Sequence, residues 1–184
     1  MDQKTEAEII VRVMGGDRQA YALLVDEYKG PIFNLAYRMT GSREDADDLT
    51  QETFIRAFQK LHQFQPDKKF FTWLYTIGIN LIRNHLKKNI RDVSHHAAAD
   101  YALEHQARGN GTGQGDGPVD DRMIGLERII QQLPVDLREA IILKYTQDLT
   151  FEEVADVTGD SLSAVKMRIY RGLEKIKEML GNNL

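Results

Sequence analysis

The stretch TFEEVADVTGDSLSAVKMRIYRGLEKIKEML, Thr150 to Leu180, is punctuated like two helices on either side of a tight turn. Thr150 and Glu153 stand at the spacing of a capping box, in which each side chain satisfies a backbone N–H at the other residue. Phe151, Val154, Ala155 and Val157 then give a short helix one apolar side. Gly159 ends it, because glycine takes a positive φ without steric cost. Val165, Ile169, Leu173, Ile176 and Leu180 follow at three- and four-residue steps and predict the buried face of a second helix. A small residue at Ala155, a glycine four later and branched Val165 six beyond that form the spacing of a helix-turn-helix: close approach, turn, seal. Ala164, Arg168, Arg171 and Lys175 face away from that seam, a stripe suited to a DNA groove and its phosphates. An ordinary helical hairpin would need none of this agreement between cap, turn and stripe.

Upstream lies RGNGTGQGDGP, Arg108 to Pro118, where glycine alternates with small or polar residues. It reads as a flexible linker, since it has no apolar face to bury, and neither GxGxxG nor GxxxxGK[ST] spacing is present for a phosphate loop. The chain therefore divides into a helical domain over residues 1–95, a flexible linker over 96–121 and a second helical domain over 122–184. In the first, Asp17 is placed to cap a helix running to about Tyr28, Pro31 to start the next, and Gly41-Ser42 to close that one. Ser42 and Asp45 then open a long helix that runs to about Phe64. Gln65 to Lys69 is a loop, and FFTWLYTIGINLIRNHLKK, Phe70 to Lys88, is another helix.

Wound at 100° per residue, this last helix places Leu74, Ile77, Leu81, Ile82 and Leu86 on one side. Thr72, Thr76, Asn80, Arg83, Asn84 and Lys87 form a polar stripe on the other. Trp73 projects at the edge of the stripe, either as a stacking surface for a nucleobase or as a half-buried ring under a neighbouring helix. On the preceding helix Asp45, Asp48, Glu52, Arg56 and Gln59 line one side, and Leu49, Phe54, Ala57, Phe58 and Leu61 pack the other. No Glu-x-x-His pair accompanies these carboxylates, and adjacent His95 and His96 diverge by about 100° on a helix, so no metal site is expected. Ile55 projects among the polar residues, which favours a docking face for a basic partner over a merely solvated one.

With 184 residues and no cysteine, the chain excludes disulfides and thiolate metal sites. The N-terminus carries acidic residues without a sustained apolar core, unlike a signal peptide, and no run approaches the ~20 apolar residues of a membrane span. A soluble cytoplasmic protein without membrane insertion is the expectation. The net charge of −4 divides as +1, −3 and −2 over residues 1–99, 100–128 and 129–184. No part is strongly basic, so nucleic-acid binding would rest on local stripes and be weak without a partner, because phosphate contacts supply most non-specific affinity.

DADDLTQETFIRAFQKLHQFQPDKKFFTWLYTIGINLIRNHLKK, followed at a distance by LPVDLREAIILKYTQDLTFEEVADVTGDSLSAVKMRIYRGLEKIKEML, resembles the extracytoplasmic-function sigma factors. The resemblance covers about Gly16 to Lys88 and Leu133 to Leu180. It implies an all-α fold of two helical domains, without catalysis or cofactor, and core RNA polymerase and promoter DNA as partners. The family's DxxQE surface, here Asp48, Gln51 and Glu52, docks on the β′ clamp helices, and Ile55 extends it; the β flap is a second polymerase contact. The −10 element is taken as an unpaired strand. The loop matching Phe64 to Phe70, with Phe64, Lys68 and Lys69, and the polar face with Trp73, Asn80, Arg83, Asn84 and Lys87 receive it, Asn80 ahead of Trp73 as the base contact. The −35 element is read by Ser163, Ala164, Lys166, Met167, Arg168 and Arg171, with Lys175 beyond. Ser163-Ala164 stands where the family often has Gly-Thr or Ser-Thr, and Met167 where serine is common. An anti-sigma protein is a further expected partner. The competing readings are a free-standing helix-turn-helix regulator, a helical enzyme built on the acidic helix, and an adaptor without DNA contact, which would leave the Arg168–Arg171–Lys175 stripe idle.

Overall fold

The computed structural model describes residues 2–66, 68–97 and 121–181, and among them every regular element is helical. The glycine-rich run Arg108–Pro118 lies outside the described residues, as do the side chains of His95 and His96. Helix α1 (Gln3–Met14) is capped by Asp2, whose carboxylate accepts from the Thr5 N–H at 2.9 Å. Asp17 is also a cap, but of a single 3-10 turn, Arg18–Ala20. Then α2 runs without a break from Tyr21 to Thr40 with Pro31 inside it, against the expected stop near Tyr28 and restart at Pro31. The reason is an unbroken stripe: Leu24, Ile32, Leu35 and Met39 are fully buried at helical steps across the proline. Burying each such side chain contributes about 1.5–3 kcal/mol, so together they outweigh the ~3 kcal/mol cost of an internal proline.

Gly41 ends α2, and Ser42 caps α3 (Arg43–Lys60) by accepting from the Asp45 N–H at 3.2 Å, as its spacing predicts. A 3-10 turn, Leu61–Gln63, leads to Phe64, and α4 spans Phe70–Ala97. Helices α5 (Asp121–Gln132), α6 (Val135–Ile141), α7 (Phe151–Thr158) and α8 (Leu162–Gly181) follow, with a π turn, Ile142–Thr146, prolonging α6. The three helices α2, α3 and α4 pack around Leu24, Ile32, Leu35, Leu74, Ile79 and Ile82, with α1 laid against α2. The four C-terminal helices enclose Leu133, Ile142, Leu143, Val154, Val165 and Ile169. The two cores abut, α7 against α4 and α5 against α2.

Two predicted faces are corrected. On α3, Phe58 is 37% exposed although its spacing put it in the core. On α8, Leu173 and Leu180 are 38% and 45% exposed, and Gly172 and Met179 take their places inward beside Val165, Ile169 and Ile176. Repeated four-residue steps run ahead of the 3.6-residue turn, so the buried line must step by three as often as by four. Gly172 sits where α8 crosses α6: a Cβ there would lie 2.8 Å from Ile141 Cγ1. Gly172→Ala should overpack that crossing by about 1–3 kcal/mol, partly offset by ~1 kcal/mol of better helix propensity. We expect a lower thermal midpoint; an unchanged or raised midpoint would show that Ile141 yields freely.

Candidate functional site

The functional candidates fall on three surfaces. On α3, Asp48, Gln51 and Ile55 are exposed and Glu52 is half-buried, its carboxylate accepting from Arg56 Nε at 2.6 Å. Asp45, predicted on the same side, is instead turned toward α4, 3.3 Å from His85 Nε2. Directly beside Gln51 and Ile55 opens a groove of about 790 Å³ between α2 and α3. Its walls are apolar, from Tyr21, Val25 and Phe33 on α2 and Phe54, Ile55 and Phe58 on α3. Tyr21 joins the walls: its hydroxyl donates to the Phe54 carbonyl at 2.9 Å, and its ring meets Phe58 edge-on. Burial pushes the Tyr21 phenol well above its ordinary range, so it stays a donor. Phe58 is thus wall, not core. Sequence reasoning missed the α2 side; its signal was Val25 and Phe33, which fall beside the α2 core stripe.

An apolar trough flanked by carboxylates suits an amphipathic helix that offers an apolar ridge and basic flanks.

The eight residues predicted for the −10 element, five on α4 and three in the segment before it, do not share one environment. Lys68, Asn80, Asn84 and Lys87 are exposed. Phe64 is buried, with ring centroids 5.6 Å from Phe70 and 5.4 Å from Trp73, which is itself half-buried. Phe64 and Phe70 therefore pack against the indole, which is left partly exposed. Arg83 lies about 60° round the helix from Asn80, where the stripe meets the side packed on the C-terminal helices. There its guanidinium forks onto Glu139, Nε to Oε2 at 2.8 Å and Nη2 to Oε1 at 2.5 Å. Lys69 likewise donates to Glu153 at 2.6 Å. Donation to the Glu139 carboxylate favours the charged guanidinium and raises the Arg83 pKa, whereas burial of Glu139 outweighs the same pairing and pushes its carboxyl up.

The helix-turn-helix is formed by α7 and α8. The capping box is complete, with Glu153 N–H to Thr150 Oγ1 at 3.1 Å and Thr150 N–H to Glu153 Oε2 at 2.9 Å. Gly159 takes φ 74°, the left-handed turn that its type predicts. Ser161 caps α8 by accepting from the Ala164 N–H at 3.3 Å, and its hydroxyl stands 3.2 Å from that of Ser163. Along α8, Ser163, Lys166, Met167, Tyr170, Arg171 and Lys175 are exposed, while Ala164 and Arg168 are half-buried. Arg168 is not on the open face: its Nη1 donates to Asp160 in the turn. Burial raises the Asp160 carboxyl, but the hydrogen bond from Arg168 and the nearby charges of Arg168 and Arg83 hold it below its ordinary value. Tyr170, 60% exposed between Met167 and Arg171, was missed. Its position three residues after Met167, on the polar side, was the available signal.

Among the described residues no group of three His, Asp or Glu gathers as metal ligands, and no helix is long and apolar enough to cross a membrane. Residues 24–91 match the family Sigma-70 region 2, and residues 124–176 match Sigma-70, region 4. The RNA polymerase sigma-H factor of Pseudomonas aeruginosa is 33% identical, covering 98% of this chain and 96% of that protein. The ECF RNA polymerase sigma factor SigW of Bacillus subtilis is 35% identical over 93% of this chain and 94% of its own length. Among solved structures, CnrH in complex with the cytosolic domain of CnrY superposes with a TM-score of 0.70 at 25% identity, covering 98% of this chain and 99% of that one. RpoE in complex with the anti-sigma factor NepR from Bartonella quintana shares the fold at the same TM-score, 22% identical, covering 88% of this chain and 96% of that one. The two matched regions stand in the order expected of the resemblance, one carrying the acidic face and the polar stripe, the other the helix-turn-helix. The chain therefore belongs to the extracytoplasmic-function sigma factors and directs RNA polymerase to promoters, with core polymerase and promoter DNA as its partners.

Proposed function

We propose a division of labour among the three surfaces. Asp48, Gln51, Glu52 and Ile55, with the apolar groove behind them, dock core polymerase at the β′ clamp helices. Asn80, Asn84 and Lys87 hold the −10 strand as it leaves the duplex, with Trp73, Arg83, Lys68 and Lys69 around them and Phe64 packed against the indole. Ser163, Lys166, Met167, Tyr170 and Arg171 read the −35 duplex, and Lys175 meets its backbone. Arg168 acts through the turn, by holding Asp160. In this assignment residues 1–95 and 122–184 are the two working domains, 96–121 joins them, and the C-terminal one also meets the β flap. No step requires catalysis or a cofactor from this chain, and its place of action is the cytoplasm. Unstacking a base costs a few kcal/mol, and a stacking or fitted pocket returns about 1–3 kcal/mol per base. Capture of extruded bases thus biases the promoter toward opening.

One observation carries the reading: the exposed line of α8 from Ser163 to Arg171 lies clear of the core, behind a complete cap and turn. An anti-sigma protein is a natural partner for the groove, since an apolar trough of this size is worth covering when polymerase is absent. In vitro transcription from a promoter library with bacterial core polymerase tests the assignment. Transcripts that need this protein should share two upstream boxes; tight binding to duplex DNA without any transcript would favour a free-standing regulator. Asp48→Ala should weaken core binding about tenfold, the loss of one charge-assisted contact. Arg171→Ala should relax −35 selectivity while leaving core affinity unchanged; equal loss across all promoters would move Arg171 from reading to positioning.

A further inference from the structure

We infer that α1 is part of the −10 strand site: the buried Glu6 carboxylate, acting through Tyr28, fixes the aromatic cluster that holds Trp73. The inference rests on the proposed −10 role of Trp73 and the loop before α4. Glu6 is 6% exposed, and a carboxylate at such depth is costly unless a donor meets it. The Tyr28 hydroxyl, on α2, donates to Glu6 Oε1. Burial above all, and then the bond to Glu6, push the Tyr28 phenol above its ordinary range, so it keeps the proton that it donates. The Tyr28 ring in turn meets Phe70, with centroids 5.7 Å apart.

Phe70 is the first residue of α4, and Phe64 follows directly on the Leu61–Gln63 turn. Both rings are buried and meet edge-on at 5.6 Å, so they close the base of the Gln65–Lys69 loop. Trp73 packs on the pair, 5.4 Å from Phe64 and 5.7 Å from Phe70. Helix α1 therefore reaches the loop at both ends, touching the Leu61–Gln63 turn at its entry and holding Phe70 through Tyr28 at its exit. Ile9, Ile10 and Val13 already seat α1 by apolar burial. Apolar burial is non-directional and tolerates a small slide or rotation of the helix. A hydrogen bond weakens steeply as it bends. Glu6 thus adds little to the seating of α1, but it fixes where Tyr28, Phe70 and the indole stand. An indole set out of line loses its contact with a strand base, and one stacked base is worth about fivefold in affinity at the least.

The test uses the full chain with core polymerase, on a promoter selected from a library with the wild-type protein. Replacing both partners of a buried hydrogen bond by apolar groups of like shape leaves stability nearly unchanged, so E6M/Y28F removes the tie and keeps the packing. Trp73 is the single tryptophan of the chain, and its emission reports the cluster directly. E6M/Y28F should melt close to the wild-type midpoint and form the closed promoter complex with wild-type affinity. It should also shift the Trp73 emission and lower the promoter-opening equilibrium about fivefold, read from permanganate reactivity of unpaired thymines. Glu6→Gln keeps an acceptor for the Tyr28 hydroxyl and should restore both emission and opening, whereas Tyr28→Phe alone should impair opening as the double variant does. Opening equal to wild type with unshifted emission in E6M/Y28F would overturn the inference. So would a loss of closed-complex affinity in step with opening, which marks a merely structural role. If Trp73→Ala opens the promoter as well as wild type does, the assignment of Trp73 to the −10 site has failed instead.

Discussion

Ile169→Ala is expected to unfold the C-terminal half at temperatures where the N-terminal half stays folded. Ile169 is fully buried at the middle of α8, with Val165, Val154, Val157 and Ile142 also buried around the same core. Removing such a side chain forfeits its transfer energy and leaves a cavity, in all about 2–5 kcal/mol. The C-terminal unit described here spans 121–181, a size at which only about 60% of the chain's surface is buried on folding and the margin is small. Since whole domains are stable by about 5–15 kcal/mol, the substitution removes a large share of what this half has. Hydrogen exchange resolved by peptide should show early exposure across α6 and α8 with α2 and α4 still protected, and Ile169→Val should cost only about 0.5–1.5 kcal/mol. A melt that moves both halves together would mean that the two cores form one cooperative unit.

Arg83→Ala is expected to have the largest electrostatic effect in the molecule, about 3–5 kcal/mol against the closed arrangement, because it strands the buried Glu139 carboxylate. The protein has two ways to escape that penalty. It can part the two halves and rehydrate Glu139, or it can protonate Glu139. Burial already holds the Glu139 pKa above its ordinary 4.5, and the mutation removes the hydrogen bond and charge that oppose this rise. For a carboxyl raised in the folded state, the native form binds more protons, so stability falls as pH rises through the folded value and is fully present below the ordinary one. The deficit of Arg83→Ala relative to wild type should therefore be greatest near pH 8 and shrink as pH falls toward 4.5. Thermal melts of both proteins at several pH values measure it, and a deficit independent of pH would show that Glu139 does not carry the penalty. Asp160 and Glu153, whose carboxyls lie below their ordinary values, pull stability the other way in acid. Glu153 does so equally in both proteins, and Asp160, which loses the nearby charge of Arg83 in the mutant, has an ordinary value of 3.8, so the comparison above pH 4.5 isolates Glu139.

The groove shows how a site can be half legible. Spacing alone puts Asp48, Gln51 and Ile55 on the exposed side of α3, where they stand, but it also put Asp45 there, which turns instead toward His85 on α4. That Phe58 and Phe33 form a trough instead of packing inward depends on the crossing of α2 over α3, which no periodicity within either helix encodes. Pro31 teaches the reverse lesson. A strong local breaker lost to a stripe of buried side chains that runs through the sequence on both sides of the proline. Tyr170 is equally visible by position, three residues after Met167 on the polar side of α8, but it carries no charge to mark it as a DNA contact.

Sequence by itself determined the caps at Ser42 and Thr150, the left-handed turn at Gly159, the helix-turn-helix and the family, because each depends on neighbours within one or two helical turns. Tertiary structure alone decided that Arg83 faces Glu139 and Lys69 faces Glu153, pairs separated by 56 and 84 residues. A charge at such a distance has no period to betray it. Stripe geometry says which side of a helix a cation occupies, but only the packing of α7 on α4 says whether it meets solvent, phosphate or a carboxylate of its own chain.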